Sequence, residues 1–491
     1  MTILLIQAPN VKGGVLNLPG REIPLSLCSL AAYLKRHGVD GVRILDLDFY
    51  NGDMRRLDEE LAQRTPDLVG VTSYTANVEI AARIAARVKQ RRPEAATVIG
   101  GFHASALPEP TLREFPAFDY AVAGEGEITL LELAQAIAAG REMDRRRPAG
   151  TDKKPPGWRR SGTAEGVAGL YARRNDEVVA GPARPLIEDL DALPFPDRSL
   201  VPVAKYVPDP GNFFQLPSTG ILFSRGCPFH CAYCAKAVFR DRLRYRSADA
   251  FVDEVEQCGR DFGIRDFRLG DEGPTANPRK MVELCETILR RGVRLTWNCF
   301  SRLEAVDAPL LSLMRRAGCY HIIYGMESAA PATLARIGKN VDLDRAEQAV
   351  RLAKQSGIEC KVNFIFGFPW ETIDDMRVTL RAARRLSPDL VSFNGFKPLP
   401  GSPLYDEMTR LGQIHHRRWS DYFVGGGAVT FDAAYTEAEL RRLLGRAFVS
   451  FHLRPRYLAQ RFRRVLRHPR RELRTIAGGL LVLARVVRAG F

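Results

Sequence analysis

Three cysteines crowd one short stretch, Arg225-Gly-Cys-Pro-Phe-His-Cys-Ala-Tyr-Cys234, with C-x3-C-x2-C spacing at Cys227, Cys231 and Cys234. Thiolates this close can hold three corners of a cubane iron–sulfur cluster and leave its fourth iron open. Electron-transfer clusters take four cysteines, so a set of three implies an iron reserved for a substrate or cofactor. The competing reading is a structural zinc knot, which takes four ligands; His230 is the nearby candidate for the fourth. The other cysteines, Cys28, Cys258, Cys285, Cys299, Cys319 and Cys360, lack ligand spacing. They read as core residues rather than as a disulfide framework.

Residues 211–405 repeat a strand–helix pattern that would carry this loop. Strands are expected near Ile221–Phe223, Phe267–Leu269, Leu295–Cys299, His321–Tyr324, Val362–Phe366 and Leu390–Phe393. Helices are expected over Ala248–Gln257, Arg279–Arg290, Ala308–Arg316, Leu343–Gln355 and Asp374–Arg385. Six such units fit a partial (β/α)6 barrel, with its chemistry at the carboxyl ends of the strands. That rule nominates Asp271 and Glu272 after the second strand, Asn298, Ser301 and Arg302 at the third, Gly325-Met-Glu327 at the fourth, and Asn363 at the fifth. Asp271 has a competing role as a strand-end cap. Glu371 also suits the first turn of the next helix, where a carboxylate favours the helix dipole.

Residues 1–140 alternate in the same way. Strand-like runs lie at Ile3–Ile6, Val42–Leu45, Leu68–Thr72, Ala96–Ile99 and Tyr120–Ala123, with helical patterns at Leu25–Arg36, Arg55–Gln63, Ala76–Lys89 and Ile128–Ala138. This predicts an α/β, doubly wound, Rossmann-like parallel sheet. Ligands of such sheets bind beyond the strands' carboxyl ends. The residues there are Ser73, Tyr74 and Thr75; Gly100, Gly101 and His103; and Gly124, Glu125 and Gly126. Residues 141–210 are expected to be a linker, with a charged loop over Arg145–Arg160, a small hairpin near Gly169–Val179 and a proline-stiffened turn at Leu193–Asp197. Residues 406–491 read as a helical, basic extension that opens on a capping box, Thr436-Glu-Ala-Glu439.

The cysteine spacing, with Tyr233 before the third cysteine, is similar to that of radical S-adenosylmethionine (SAM) enzymes. The strand-end turns upstream of it, together with Pro24-Leu25, Leu30–Leu34, Gly38 and Asp46, resemble the cobalamin (B12)-binding domain that precedes many radical SAM domains. The segment Lys397–Tyr405 resembles the ending of the same subfamily. The likeness covers Met1 to Tyr405 and implies three cofactors: a 4Fe–4S cluster on Cys227, Cys231 and Cys234, SAM, and cobalamin. It implies SAM contacts from Tyr233, Asp271, Glu272, Ser301, Arg302, Glu327, Asn363 and Ile365, with Glu327 on the amino group. It implies cobalamin contacts from the nine strand-end residues named above. Where cobalt-ligating domains carry Asp-x-His-x-x-Gly, this chain has Gly101-Phe-His103-Ala-Ser-Ala106. His103 is therefore not expected to ligate cobalt.

The activity implied is methylation of an unactivated carbon of a small molecule or natural product, through a 5′-deoxyadenosyl radical and methylcobalamin. An external electron donor of flavodoxin or ferredoxin type would supply it. A non-methylating reaction, such as oxidative ring cyclisation or a hopanoid-type modification, is the alternative on the same scaffold. A non-catalytic cobalamin-binding sensor is the alternative of another class. Methylthiolation of transfer RNA would need a second cluster in the N-terminal domain, and Cys28 is the only cysteine before Cys227.

Composition bounds the rest. Hydrophobic residues make up 45% and charged residues 26%, as in soluble globular proteins. No apolar run approaches a bilayer-spanning length, and the chain opens on strand-like Ile3–Ile6 rather than a signal peptide. A cytoplasmic location is expected. The net charge of +15 is uneven: from Arg441 onward fourteen arginines face one acid, Glu472. The bland reading of this tail is helices with a solvated basic face. The sharper reading is peripheral contact with the anionic inner face of a membrane. Nucleic acid is not an expected partner, because few aromatics are interleaved for base stacking.

Overall fold

The computed structural model describes residues 1–11, 20–145, 166–174, 177–339, 341–415, 418–424, 428–467 and 469–488. Beyond Arg145 and Arg174, the charged loop and the tip of the hairpin lie outside the described residues. The chain divides into two compact units, one of Met1–Val11, Pro24–Pro202 and Ala235–Arg240, the other of Lys12–Ile23, Val203–Cys234 and Asp241–Phe491.

The first unit is built on a seven-stranded sheet. Five strands are parallel: β1 (Thr2–Gln7), β2 (Gly41–Asp46), β3 (Leu68–Thr72), β4 (Ala96–Gly100) and β5 (Tyr120–Val122). The antiparallel pair β6 (Leu170–Arg174) and β7 (Glu177–Ala180) completes the order β2-β1-β3-β4-β5-β6-β7. Ile3, Leu5, Leu27, Ala31, Leu68, Val98 and Leu131 share one core cluster. The apolar run of β1 is buried on both faces, as the strands of parallel sheets are. The hairpin expected within a linker is thus the sheet's edge. Leu170 and Ala172 are buried while Tyr171 and Arg173 are only half-buried, and such a one-sided strand needs a sheet to cover it. Helices Leu25–Arg36, Met54–Gln63, Val78–Arg91 and Gly126–Arg145 follow the expected pattern. Two short helices, Phe102–Ala106 and Pro108–Glu114, were not anticipated.

The second unit carries β8 (Ser218–Ile221), a short ribbon of β9 (Ser224–Arg225) and β10 (Arg244–Tyr245), then β11 (Asp266–Leu269), β12 (Thr296–Ser301), β13 (Cys319–Glu327), β14 (Glu359–Phe366) and β15 (Leu390–Gly395). Six of these form a parallel sheet in the order β15-β14-β13-β12-β11-β8. The intervening helices start on side-chain caps: Ser247 accepts from Ala250 N, Asp307 from Leu310 N and Asp342 from Arg345 N, each typically contributing about 1 kcal/mol. Along β14, buried Cys360, Val362, Phe364 and Phe366 alternate with half-buried Lys361, Asn363 and Ile365. Cys360 lies in the field of Lys354 on a covering helix, whereas Lys361 feels Arg268 of β11, three strands away. The half-buried row therefore faces the concave interior.

After the short helix Pro403–Arg410, three longer helices are described: Glu437–His452, Pro455–Arg467 and Pro469–Arg488. The first opens on the expected capping box, with Thr436 N donating to Glu439 Oε2 at 2.8 Å and Glu439 N to Thr436 Oγ1 at 3.2 Å. The solvated basic face expected of the tail is only part of its charge. Arg464 Nη2 lies 2.7 Å from Glu359 Oε2 and its Nη1 3.0 Å from Asp389 Oδ1. Arg461 Nη1 lies 2.7 Å from Glu472 Oε2. Glu359 and Asp389 stand at the amino ends of β14 and β15, so these arginines lock the helices onto the sheet's lower rim. Burial alone would raise the Glu359 pKa, but Arg471 and Arg464 outweigh it and bring it down to about 2.

Candidate functional site

The cysteine loop leaves β9 at the carboxyl edge of the half-barrel. None of its three thiols is in a disulfide; Cys231 is buried, and Cys227 and Cys234 are half-buried. The loop is pinned from outside: Ala232 N donates to Ile337 O at 3.1 Å and Leu404 N to Ala232 O at 2.9 Å. Arg302, just after β12, lies over the Phe229 ring at 4.1 Å and reaches Cys231 Sγ at 3.5 Å. Burial works against its charge, but Glu304 and the Cys231 sulfur hold its pKa above the ordinary value. Gly273 backs Cys227; a side chain there would start 3.4 Å from the sulfur. Among the described residues no three His, Cys, Asp or Glu are gathered tightly enough for a single ion. The corners of a cluster stand further apart, and three thiols outside any disulfide, beside a guanidinium, fit that larger group.

Glu327 closes β13 and joins this loop. Tyr233 Oη donates to Glu327 Oε1 at 3.0 Å, and Lys339 Nζ donates to the same oxygen at 2.9 Å and to Gly325 O at 2.8 Å. Lys339 and Glu327 are buried at 5% and 7% exposure. The register slips between Gly325 and Glu327, and Glu327 takes a left-handed φ of 66°, a conformation costly for a residue with a side chain and typical of functional sites. Gly325 makes it possible. A Cβ there would sit 2.2 Å from Glu327 Oε1 and 2.8 Å from Lys339 Nζ. Burial, with the Glu327 charge beside it, pushes the Tyr233 pKa well above its ordinary value, so the phenol stays a donor. Lys339 was missed from sequence: it lies 12 residues from its partner, a spacing no local rule detects.

The other nominated residues divide. Ser301 ends β12 and shares a hydrogen bond with Thr275 at 2.8 Å. Asn363 and Ile365 line the interior, and Asn363 Oδ1 is buried with no hydrogen-bond partner, which suits a donor from a ligand. Asp271 is spent elsewhere: Phe223 N and Ser224 Oγ donate to its Oδ1 at 3.0 and 2.6 Å. It braces the start of the cysteine loop, and burial raises its pKa to about 6 despite those bonds. Glu272 follows it, half-buried. Asn298 Nδ2 is engaged by Asn212 O and Tyr320 Oη, both at 2.9 Å. Glu371 is not in a first helical turn. It precedes the cap Thr372, is 1% exposed, and accepts from Gly367 N, Phe368 N and Ser328 Oγ. It ties the end of β13 to the loop after β14.

In the first unit the strand ends gather as expected. Gly100 ends β4 with open space where a Cβ would stand, while Gly101 has φ +99° and its missing Cβ would lie 2.5 Å from Ser73 O. Exposed Tyr74 stacks on Phe102 at 5.6 Å between centroids. Ser73 Oγ is buried without a partner. An open glycine edge, a flat aromatic pair and an orphan hydroxyl fit a broad macrocycle that carries amide groups. His103 is 1% exposed and meets Thr75 Oγ1 through Nδ1 at 3.3 Å. Gly124 N donates to Ser105 Oγ at 3.1 Å. Glu125 turns away to accept Ile187 N at 2.8 Å, and Gly126 starts the following helix, where a Cβ would stand 3.2 Å from the Leu30 side chain.

A parallel sheet with glycine-opened strand ends, and a parallel half-barrel with a three-cysteine loop at its carboxyl edge, fit an α/β enzyme of the corrinoid and iron–sulfur class. Residues 11–134 match the B12 binding domain and residues 221–383 the radical SAM superfamily. The chain is 32% identical to the anaerobic magnesium-protoporphyrin IX monomethyl ester cyclase of Rubrivivax gelatinosus, over 83% of this chain and 70% of that one. It is 29% identical to an uncharacterized methyltransferase of Pyrococcus horikoshii, over 93% and 94%. Its fold is similar to that of the radical SAM methyltransferase TsrM from Kitasatospora setae, with a TM-score of 0.67, 24% identity, and 84% and 76% coverage. The chain belongs to the cobalamin-binding radical SAM superfamily. It is a radical SAM enzyme, and its cofactors are a 4Fe–4S cluster, SAM and cobalamin. Among the described residues no helix is long and apolar enough to cross a membrane.

Proposed function

We propose that this enzyme methylates an unactivated carbon of a small-molecule substrate. The observation that carries the reading is a pairing within one chain: an acid bonded to the cysteine loop, and a sheet whose strand ends are left open by glycine. Cys227, Cys231 and Cys234 would hold the cluster. Glu327, Ser301, Arg302, Asn363 and Ile365 would hold SAM, and Ser73, Tyr74, Thr75, Gly100, Gly101 and Gly124 would border the corrin. When bound, these groups supply one-electron cleavage of SAM and a transferable methyl group; the protein's part is binding, orientation and electrostatics.

The residues divide that part among themselves. Arg302 steadies negative charge on the Cys231 sulfur. Lys339 and Tyr233 occupy Oε1 of Glu327 and fix its rotamer, which leaves Oε2 to accept the ammonium of SAM. Asn363 offers its unpaired carbonyl oxygen as an acceptor. Glu371 and Ser328 keep the strand ends in register. The electron would come from a flavodoxin- or ferredoxin-type donor in the cytoplasm.

Oxidative ring cyclisation is the second reading, favoured by the identity to the Rubrivivax cyclase. The experiment that separates them is incubation of the reduced, reconstituted enzyme with methyl-labelled SAM and candidate substrates. Label in the product supports methyl transfer. An altered product without label overturns it in favour of the second reading.

A further inference from the structure

The last two helices expose an apolar surface that the barrel does not use. Of thirteen exposed large apolar side chains among the described residues, seven lie between Leu453 and Leu481. On helix Pro455–Arg467, Leu458, Phe462 and Leu466 recur every fourth residue and are 51%, 65% and 70% exposed. On helix Pro469–Arg488, Leu473, Leu480 and Leu481 share one face and are 57%, 59% and 41% exposed. The packed faces are different ones, carried by Tyr457, Arg461, Glu472, Val482 and Val486.

The charge around the stripe has one sign. Arg456, Arg463 and Arg474 are exposed beside it. The one acid of the segment, Glu472, is 1% exposed and taken up by Arg461 and Arg464. Apolar residues flanked by cations, with no acid showing, match the boundary between anionic headgroups and acyl chains. The stripe is aliphatic with a single Phe and no Tyr or Trp. A specific protein interface would draw on aromatic and hydrogen-bonding anchors, whereas a lipid surface asks only for apolar area and charge.

We propose that helices Pro455–Arg467 and Pro469–Arg488 lie flat on an anionic lipid surface, with Phe462 and Leu466 inserted below the headgroups. The arginines on the opposite face clamp these helices to the sheet, so the catalytic half-barrel would ride on the membrane without crossing it. The inference does not depend on which carbon, or which reaction, the enzyme serves.

Flotation of the full-length protein with vesicles tests this. With equal parts phosphatidylcholine and phosphatidylglycerol the protein should float, and with phosphatidylcholine alone or at high salt it should largely remain behind. The Phe462→Gln, Leu466→Gln variant should partition about tenfold less or weaker still, with an unchanged thermal midpoint because both side chains face water. Should that variant misfold, Arg463→Gln, Arg474→Gln keeps the stripe and should lose the preference for phosphatidylglycerol. Wild-type protein that ignores both vesicle types overturns the proposal, as does partition unaffected by either variant. A vesicle-free dimer that Phe462→Gln, Leu466→Gln converts to monomer also overturns it, since a second copy would then cover the stripe.

Discussion

Lys339 Nζ lies 2.9 Å from Glu327 Oε1, the oxygen that also receives the Tyr233 hydroxyl at 3.0 Å. One carboxylate thus connects the cysteine loop, the end of β13 and a buried cation from the segment after helix Pro331–Arg336. Removing the cation should free the carboxylate to rotate and leave it buried without its partner. Lys339→Met is expected to weaken SAM binding about 10- to 100-fold, the equivalent of one charge-assisted hydrogen bond. Iron content should be unchanged, and Lys339→Arg should recover part of the loss. Calorimetric titration of the reconstituted protein with SAM measures the first, and iron analysis the second. Loss of iron together with SAM would mean that Lys339 supports the loop rather than Glu327.

Gly325 tests the same relationship sterically. A methyl group at this position would lie 2.2 Å from Glu327 Oε1. Gly325→Ala should therefore displace the carboxylate and lower SAM affinity at least about tenfold, with a stability loss of about 1–3 kcal/mol for the crowding. Unchanged affinity would show that the left-handed turn at Glu327 has nothing to do with the ligand.

Gly100 isolates the corrinoid. A Cβ there meets nothing within 4 Å, so Gly100→Val should fold with stability within about 1 kcal/mol of wild type. If the open edge is where the macrocycle lies, corrinoid retained per chain should fall about tenfold or more while iron stays constant. Full corrinoid content in that variant would move the cofactor away from the end of β4.

Acid should loosen the clamp of the C-terminal helices. Glu359 has a folded pKa of about 2 against an ordinary 4.5. A depressed carboxylate stabilises above its unfolded pKa, and that contribution is lost as pH falls from 4.5 through about 2. Glu359→Gln should cost about 3–5 kcal/mol at neutral pH by taking the carboxylate from the largely buried Arg471 side chain, while Arg461 and Arg464 keep Glu472 and Asp389. It should also flatten the decline of stability below pH 4.5 relative to wild type. Denaturant midpoints over that range decide it; parallel curves for the two proteins would remove Glu359 as the group responsible.

Local rules carried much of the fold. Helices Leu25–Arg36, Ala308–Arg316 and Leu343–Gln355 match their expected bounds residue for residue, because apolar periodicity and flanking residues coincide there. The hairpin's role was not legible: β6 pairs with β5 across some fifty residues of sequence, and nothing local names a partner. The short helices after Gly101 begin at a left-handed glycine and a proline, which read in sequence as turns. The cysteine loop and Glu327 were visible as a motif and a strand end. Lys339 was not, and neither was the bracing role of Glu371, whose partner Ser328 lies 43 residues upstream.

The most direct test that one chain holds both cluster and corrinoid is the metal and corrinoid content of anaerobically reconstituted protein, wild type beside Cys231→Ala. The account predicts about four irons and bound corrinoid in the wild type, with iron–sulfur absorption lost and corrinoid retained in the variant. A wild type that binds no corrinoid, or a variant that keeps its iron–sulfur absorption, would contradict it.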